Sequence, residues 1–343
     1  MGGNWLYKDW ALTVSNAAVS FVPASAVLEI LDWKQVIESL SRAYSVPHGP
    51  MVSPLRTVAR NGRIWLRSLT AIPPGARFMG GKLFGMGPKP AINYLIPLFE
   101  QETGELRALV DGAFITSFRT ASTSAAALDV LAPKEDLVIG MIGSGQEAVA
   151  HARAIHAIRR IGELRIFSPT PESRARFAKT FQAETGVTCV AADTPEDAVR
   201  PATLVVAAAR SRDESPILYG DWLDNCRAVV SVGSTVPEQR EIDTSVVARS
   251  DLIVCDVLEE VMHETGDMIA AKKAGVSFEQ KCVSLNDLLC GKVADRVRSA
   301  SMPMFKSVGA GIQDIVCAEL AYELADKARR LVPLPIEFYR KTI

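Results

Sequence analysis

Short apolar runs alternate with helical patterns through the second half of the chain. An alanine-rich stretch with high helix propensity begins near residue 120. The apolar runs that follow it read DLVIGMIG, ELRIFS, VTCVAA, TLVVAAA, RAVVSVG and DLIVCD. Strands that alternate with helices in this way predict βαβ units around a parallel sheet. The tail from Gly309 has the pattern of one long amphipathic helix, which we expect to pack back on the first part of the chain.

The first third of the chain has strand-like alternation and many turn residues. Five prolines between residues 47 and 74 disfavour long helices there. Asn61-Gly62 lies between two β-rich runs and predicts a hairpin, and residues 102–105 predict another. This part is therefore expected to form a mixed or antiparallel sheet with few helices.

Composition narrows the class of protein. A length of 343 residues favours two domains. The 38 basic and 39 acidic residues give a net charge of −1, which argues against nucleic-acid and membrane-surface partners. The six cysteines form no CxxC pair and the four histidines are dispersed, so reduced thiols and no metal site are expected. No signal peptide and no apolar run of transmembrane length is visible, so a cytoplasmic location is expected.

Residues 139–151, IGMIGSGQEAVAH, raise the question of a bound dinucleotide. An apolar strand precedes the turn Gly143-Ser144-Gly145, and helix periodicity runs from Gln146 to Arg159. In this pattern the glycines let the backbone approach a pyrophosphate, and the helix N-terminus supplies free N–H donors. A plain structural turn is the alternative, but the strand, the helix and the further βαβ series favour a Rossmann-type dinucleotide site.

The end of the second strand of this unit bears on the choice of cofactor. An acidic residue there would bind the ribose hydroxyls of NAD. The sequence ELRIFSPTPESR instead places Ser168 and Thr170 at that point, with Arg174 following. These side chains could hold a 2′-phosphate, so the sequence favours NADP(H), with NAD(H) as the alternative. For Arg174, a solvated helix residue is the alternative interpretation.

Several further stretches carry a family resemblance. They read SPLRTV, FMGGKL, ALVDGAFITSFRTAS, SVGSTVPEQREID and MFKSVGAGIQD. In this order, over roughly residues 25 to 330, the chain resembles the ornithine cyclodeaminase/mu-crystallin family. The resemblance implies an α/β protein and a homodimer. It implies a Rossmann dinucleotide-binding domain at 121–317 and a discontinuous α+β substrate-binding and dimerisation domain at 1–120 and 318–343. The implied substrates are amino acids or the related imines and keto acids.

The resemblance also implies site residues. Arg56, Lys82 and Arg119 fall on the family's carboxylate-binding and catalytic positions, which suits the forked donors of arginine. Lys82 follows two glycines and is expected at a turn or strand start facing the cleft. Taken singly, each cation could equally be a surface charge. The substrate pocket is expected to include Asn93, and further cofactor contacts are expected at Thr120, Gly233, Ser234, Ser307 and Gly309.

One departure from the family pattern separates the candidate reactions. Cyclodeaminases of the family carry an aspartate after the glycine where this chain reads Gly233-Ser234-Thr235. Hydroxyl groups are no comparable base at neutral pH. The chain therefore resembles the ketimine reductase-like branch, and the leading hypothesis is an NAD(P)H-dependent reductase of a C=N bond next to a carboxylate. The alternatives are a cyclodeaminase, an amino-acid dehydrogenase such as alanine dehydrogenase, and a non-catalytic crystallin-like binding protein.

Three acidic residues are expected at helix starts. Glu241 and Asp243 are interpreted as charges that complement a helix dipole. Asp314, early in the last helix, has two open roles: it could complement the dipole there or orient Lys82.

Overall fold

The computed structural model describes residues 12–14, 18–89, 91–211, 213–336 and 339–341. The remaining residues, among them 1–11 of the expected substrate-binding domain, lie outside the described part.

The strands form two large sheets and one small pair. In chain order they are β1 (Leu12–Val14), β2 (Ser20–Val22), β3 (Thr57–Asn61), β4 (Ile64–Ala71), β5 (Phe78–Met86), β6 (Ile92–Glu100), β7 (Leu106–Asp111), β8 (Leu137–Ile142), β9 (Ile161–Phe167), β10 (Thr188–Ala191), β11 (Leu204–Ala207), β12 (Ala228–Ser231), β13 (Ile253–Cys255), β14 (Cys282–Ser284), β15 (Met304–Lys306), β16 (Val332–Pro333) and β17 (Tyr339–Lys341).

The helices lie mainly between the strands of the parallel sheet. They are α1 (Ala24–Ile30), α2 (Trp33–Tyr44), α3 (Gly112–Leu131), α4 (Gln146–His156), α5 (Pro171–Thr185), α6 (Pro195–Val199), α7 (Thr244–Arg249), α8 (Leu258–Glu264), α9 (Gly266–Lys273), α10 (Leu285–Leu289), α11 (Ala294–Ser299) and α12 (Gly311–Lys327).

The second half of the chain builds a parallel sheet of order β10-β9-β8-β11-β12-β15-β13-β14. The strand pairs in it are parallel. Strands β11 and β12 are buried along their whole length, which explains their continuous apolar sequences. In-register pairing of Ile142 with Phe167 and Ala207 brings the carboxyl ends of β8, β9 and β11 to one edge.

The first third builds a sheet of order β16-β2-β7-β6-β5-β4-β3, antiparallel except for the β2–β7 pair. Its alternation separates two faces. Leu69 and Lys82 point to the inner face and are buried, whereas Leu66 and Leu83 are exposed on the outer face. Helix α12 packs against β4, β5 and β6 from the inner side.

Two helices join the sheets. Helix α3 runs unbroken from Gly112 to Leu131, and α12 from Gly311 to Lys327. The expected boundaries at 120/121 and 317/318 both fall inside these helices, so the two-domain division remains a prediction about units that share α3 and α12. Because α3 packs against α4 as well as α12, side chains on it reach both sheets.

The structure confirms the α/β class with a parallel sheet and the two hairpins, and it changes two details. Helices α1 and α2 were not predicted in the first third. Lys82 lies in the middle of β5 rather than at a turn or strand start, because the glycines before it are part of the strand. A side chain at Gly80 would stand 2.1 Å from the carbonyl oxygen of Pro97, so these glycines permit close strand packing.

Candidate active site

Two of the predicted cations meet at one buried carboxylate. Lys82 donates from Nζ to Asp314 Oδ1 at 2.8 Å. Arg119 Nε lies 3.1 Å from the same oxygen, and its Nη1 donates to Gln313 Oε1 at 2.9 Å. All of these side chains are buried. Asp314 therefore orients Lys82 and Arg119, and the two cations around one anion leave an excess positive charge.

The Lys82 ammonium has an unusual protonation equilibrium. Its pKa is lowered from 10.5 to about 8, first by burial and next by the charge of Arg119. The charge and hydrogen bond of Asp314 act in the opposite direction. The group can therefore hold or release a proton close to neutral pH.

Arg56 lies near this pair but has its own partner. Its backbone N–H donates to Glu260 Oε1 at 2.8 Å, and its Nε donates to Oε2 at 2.5 Å. Its Nη2 also donates to the carbonyl of Val308 at 2.9 Å. The positive charge of Arg56 helps to lower the pKa of Lys82, so it is close by. Its guanidinium is nevertheless neutralised by Glu260 of α8, a partner that the sequence did not indicate.

The loop between β15 and α12 brings the parallel sheet into contact with Arg119. Ser307 Oγ and the Gly309 N–H donate to Asp256 Oδ2 at 2.7 and 2.8 Å. Gly309 has φ +87°, and a Cβ there would lie 2.5 Å from Arg119 Nη1. Only glycine therefore fits between this loop and the cation. Asp256, which directly follows β13, organises the loop; its position after an apolar strand was the available signal.

The glycine loop has the geometry expected for a pyrophosphate cradle. Gly143 has φ +115° and donates its N–H to the carbonyl of Phe167 at 2.8 Å. Gly145 caps α4 without a side-chain hydrogen bond, and a Cβ at this position would enter open space. The first N–H groups of α4, from Gln146 on, therefore face an open approach that fits a phosphate group.

The residues expected to determine the preference for NADP(H) or NAD(H) also lie close together. Ser144 Oγ donates to Ser168 Oγ at 2.9 Å. Arg174 donates from Nη1 to the carbonyl of Ser168 at 3.0 Å, and its Nη2 lies 3.2 Å from Asp193. Thr170 is the N-cap residue of α5 and makes no side-chain cap bond. No carboxylate of β9 lies at this point, although Asp193 approaches from the strand beside it.

One predicted residue lies away from the site, and two others make hydrogen bonds within the protein. Asn93 is exposed on the outer face of β6, opposite to Lys82, because odd-numbered residues of this strand point outward. Tyr94 faces Lys82 instead, with Nζ 5.7 Å from its ring centre. Ser234 is buried and donates to the carbonyl of Gln239 at 2.6 Å, so its hydroxyl faces the interior. Thr120 donates to Thr116 of its own helix at 2.7 Å.

Glu241 corrects another expectation. It is fully buried in the loop before α7, not at a helix start, whereas Asp243 is the N-cap residue of α7 as predicted. Glu241 accepts hydrogen bonds from Ser231 Oγ at 2.5 Å and from the Gly233 N–H at 2.9 Å. The Gly233 N–H is thus used in a hydrogen bond within the protein. Burial raises the pKa of Glu241 to about 7, and the nearby charge of Lys306 opposes this rise.

Glu147 is a further titratable group between the glycine loop and the cations. It lies in the first turn of α4, and Ser117 Oγ of α3 stands 3.4 Å from its Oε1. Burial raises the pKa of Glu147, while Arg119 and Lys82 lower it. Its Oε2 is buried without a hydrogen-bond partner among the described residues. Sequence reasoning assigned this position only to the cofactor helix.

The described residues contain neither a candidate membrane-spanning helix nor a candidate metal cluster. In the part of the chain that the structure covers, no helix combines the length and the apolarity needed to cross a membrane. Within the same ranges, no cluster of His, Cys, Asp and Glu side chains is arranged to hold a metal ion.

The chain is similar to proteins of known sequence and structure. Residues 86–329 match the sequence model of the ornithine cyclodeaminase/mu-crystallin family. A Δ1-pyrroline-2-carboxylate reductase of Bacillus cereus is 28% identical over 265 residues, which are 75% of this chain and 80% of the relative.

Two solved structures share the fold. The Δ1-pyrroline-2-carboxylate reductase of Thermococcus litoralis, in complex with NADH and L-proline, is 26% identical with a TM-score of 0.83. The similarity covers 92% of this chain and all of that one. A probable ornithine cyclodeaminase from Bordetella pertussis is 27% identical with a TM-score of 0.81, over 93% of this chain and all of that one.

Proposed function

Because the chain belongs to the ornithine cyclodeaminase/mu-crystallin family, we propose that it is a nicotinamide-dependent reductase of a C=N bond adjacent to a carboxylate. The substrate is a cyclic ketimine, such as pyrroline-2-carboxylate or piperideine-2-carboxylate, or the imine of a keto acid, and the product is an L-amino acid. The observation that carries this proposal is the meeting of Lys82 and Arg119 on Asp314, beside the Gly309 loop. Relatives named as reductases of this substrate class support it.

The charges assign a role to each cation. Lys82 and Arg119 share one carboxylate, so they can take a second one, that of the substrate. Lys82, with a pKa of about 8, supplies the proton that the imine nitrogen gains. Arg56 is already paired with Glu260 and holds the carbonyl of Val308, so we assign it a positioning role. The reduced nicotinamide, when bound, supplies the hydride to the imine carbon.

The loop 233–235 supports reduction over cyclodeamination. Ser234 bonds the carbonyl of Gln239, and Thr235 bonds the side chain of the same residue. The carboxylate that contacts the loop, Glu241, accepts hydrogen bonds from the Gly233 N–H and from Ser231, and Asp267 is engaged by Lys306 at 2.9 Å. A base for the deamination of ornithine is therefore lacking among the described side chains of this loop.

Absorbance assays of NADPH and NADH oxidation test the proposal. The substrates are Δ1-pyrroline-2-carboxylate and Δ1-piperideine-2-carboxylate, with parallel assays for L-alanine oxidation and for proline and ammonia from L-ornithine. We expect imine reduction that falls by at least about 100-fold in Lys82→Met. Lys134→Met, which removes an exposed lysine, is the matched control. Proline formed from ornithine without net cofactor turnover would favour the cyclodeaminase, and binding without any turnover would favour the crystallin-like protein.

For the cofactor, we propose that NADP(H) is preferred and NAD(H) is also used. The support is the absence of a β9 carboxylate among the described residues at this point, together with Ser168, Thr170 and Arg174. In Arg174→Ala we expect KM for NADPH to rise by about 10-fold, with little change for NADH, because only the former carries a 2′-phosphate. Lys179→Ala, on the exposed side of the same helix, is the control. Equal effects on both cofactors would contradict this assignment.

We also propose a homodimer that forms through the outer face of the antiparallel sheet. Leu66, Leu83 and Leu95 are exposed on this face by 48%, 41% and 39%, and the last two are paired across β5 and β6. An exposed apolar face on adjacent strands is typical of an interface between protein chains.

A further inference from the structure

The inner face of the antiparallel sheet carries an aromatic cluster with a cation at each end. We call Trp65, Phe84 and Tyr94 the aromatic cluster: the Trp65 and Phe84 ring centres are 5.6 Å apart, and those of Phe84 and Tyr94 are 5.2 Å apart. Lys82 Nζ lies 5.1 Å from the centre of the Phe84 ring. At the other end, the guanidinium of Arg67 lies 4.7 Å from the centre of the Trp65 ring. The cluster therefore connects Lys82 to a cation that the proposed reaction does not use.

Strand register places Arg67 on the same face as Lys82. On β4 and β5, Arg67 is paired with Phe84 and Leu69 is paired with Lys82. Arg67 and Lys82 are thus diagonal neighbours on adjacent strands, a relation in which Cα atoms lie roughly 7–8 Å apart. The two side chains therefore project from neighbouring strands on one face of the sheet.

Arg67 differs from the other cations of the site in having no acceptor. Arg56 is paired with Glu260, and Arg119 is paired with Asp314. Arg67 is half-buried and donates no side-chain hydrogen bond to any described residue, and its Nε is among the buried atoms without a partner. The charges of Glu260 and Glu238 are close enough to favour its protonated form, but both oxygens of Glu260 already accept from Arg56.

The environment of Arg67 favours an incoming anion. Burial lowers the pKa of Arg67, and the positive charges of Arg56 and Arg60 lower it further. A guanidinium that is partly withdrawn from water without an acceptor costs free energy, which an anionic ligand would recover. The guanidinium carbon lies 4.7 Å from the centre of the Trp65 ring, and the Nε–H has no acceptor among the described residues, so a carboxylate could accept from it in a forked manner.

We propose that Arg67 binds a second carboxylate, at the end of the substrate's side chain, so that the preferred substrates are imines of dicarboxylic acids. The inference rests on the proposed function and adds the chemical class of the side chain. The reaction is unchanged: one hydride adds to the imine carbon, one proton adds to the nitrogen, and the reduced cofactor is oxidised. Lys82 and Arg119 hold the carboxylate beside the C=N bond, and Arg67 holds the distal one.

Matched pairs of keto acids test this inference, because keto acids form imines with ammonium in solution. Oxaloacetate is compared with 2-oxobutyrate, and 2-oxoglutarate with 2-oxovalerate; each second compound has a methyl group in place of the distal carboxylate. We expect the kcat/KM ratio within a pair to favour the dicarboxylate by about 30-fold or more in the native protein. In Arg67→Met the ratio should fall to near 1, and Arg67→Lys should restore part of it.

Arg60→Met separates direct contact from the general electrostatic field. Arg60 is exposed on β3, and its charge acts on Arg67, so the variant removes a nearby charge but no proposed contact. If it lowers the ratio as much as Arg67→Met does, the contact is not supported. If the monocarboxylate imines are reduced as efficiently as the dicarboxylate imines, the inference is overturned and the proposed function remains intact. If no imine is reduced with either cofactor, both are overturned. Circular dichroism melting checks that each variant is folded.

Discussion

The protonation of Lys82 is the feature of a single residue with the clearest consequence for catalysis. Its ammonium is buried between an attractive carboxylate, Asp314, and a repulsive guanidinium, Arg119. With a pKa of about 8, the charged form predominates below that pH and is lost as pH rises through it. Both proposed tasks, binding a carboxylate and giving up a proton, need the charged form.

We therefore predict that kcat/KM for imine reduction decreases about 10-fold per pH unit above a pH of about 8. Asp314 favours the charged form, so Asp314→Asn should move this alkaline limb to lower pH. Bound substrate adds a negative charge near Lys82, so the limb in kcat should lie at higher pH than the limb in kcat/KM. Initial rates measured from pH 6 to 10 in constant ionic strength check both shifts.

Glu147→Gln is the control for this profile. Glu147 also lies near the cations, and burial raises its pKa above the usual range of a carboxyl group. The alkaline limb should persist in this variant. A limb that disappears with Glu147 and is unmoved by Asp314→Asn would assign the titrating group to Glu147 instead of Lys82.

At the scale of elements, one buried network joins the ends of several strands next to Gly233 and Ser307, two of the expected cofactor contacts. Lys306 of β15 is fully buried and donates to Ser231 of β12 at 2.8 Å and to Asp267 of α9 at 2.9 Å. Glu241 accepts from the same serine and from the Ala209 N–H after β11 at 3.1 Å. The charge of Lys306 thus acts on Glu241, and Lys306 shares Asp267 with Arg240, whose Nε lies 3.3 Å from Asp267 Oδ1.

Lys306→Met should lower the free energy of unfolding by about 3–5 kcal/mol, because it removes the cation that acts on buried Glu241 and one of the two cations paired with buried Asp267. Loss of Lys306 also removes an interaction that lowers the pKa of Glu241, so the variant should suffer most at alkaline pH, where Glu241 must ionise. Urea denaturation at pH 6 and pH 8.5 measures both effects. The exposed pair Lys292–Asp287 gives the control Lys292→Met, for which we expect a loss below about 1 kcal/mol. Equal losses in the two variants would contradict the role of the network.

Local sequence patterns predicted those elements that depend mainly on neighbouring residues. The hairpin predicted at Asn61-Gly62 is present, with Gly62 and Arg63 as the turn between β3 and β4, and the run LVIGMI forms β8, because turn chemistry and apolar periodicity are properties of neighbouring residues. The sequence left two roles open for Asp314, and the structure shows that it pairs with Lys82. The partners Glu260 and Lys306 could not be predicted, since they lie far along the chain and only the strand order brings them to the site.

Face assignment in the antiparallel sheet shows a second limit. The alternation of β5 and β6 is visible in the sequence, but which face is covered depends on where α12 packs. The family resemblance suggested Asn93 for the pocket, whereas Tyr94 occupies the inner position. The same alternation puts Leu83 on the outer face, directly after Lys82 in the chain.

At the scale of the whole molecule, the outer face of the sheet decides the proposed oligomeric state. Leu83 and Leu95 are paired across strands and remain exposed in the single chain, and Leu66 extends the apolar face on β4. Burial of such a face contributes roughly 25 cal/mol per Å² of apolar surface, and a charge placed in it must be desolvated.

We predict that the native protein is a dimer in sedimentation velocity and that Leu83→Glu and Leu95→Glu are monomers. Val130→Glu, at an equally exposed apolar position on α3, should remain dimeric. A native monomer, or a dimer that survives both substitutions, would place the interface elsewhere. Because β5 presents Leu83 outward and Lys82 inward, the monomeric variants should also lose imine reduction, as the strand that positions Lys82 is no longer held by a partner.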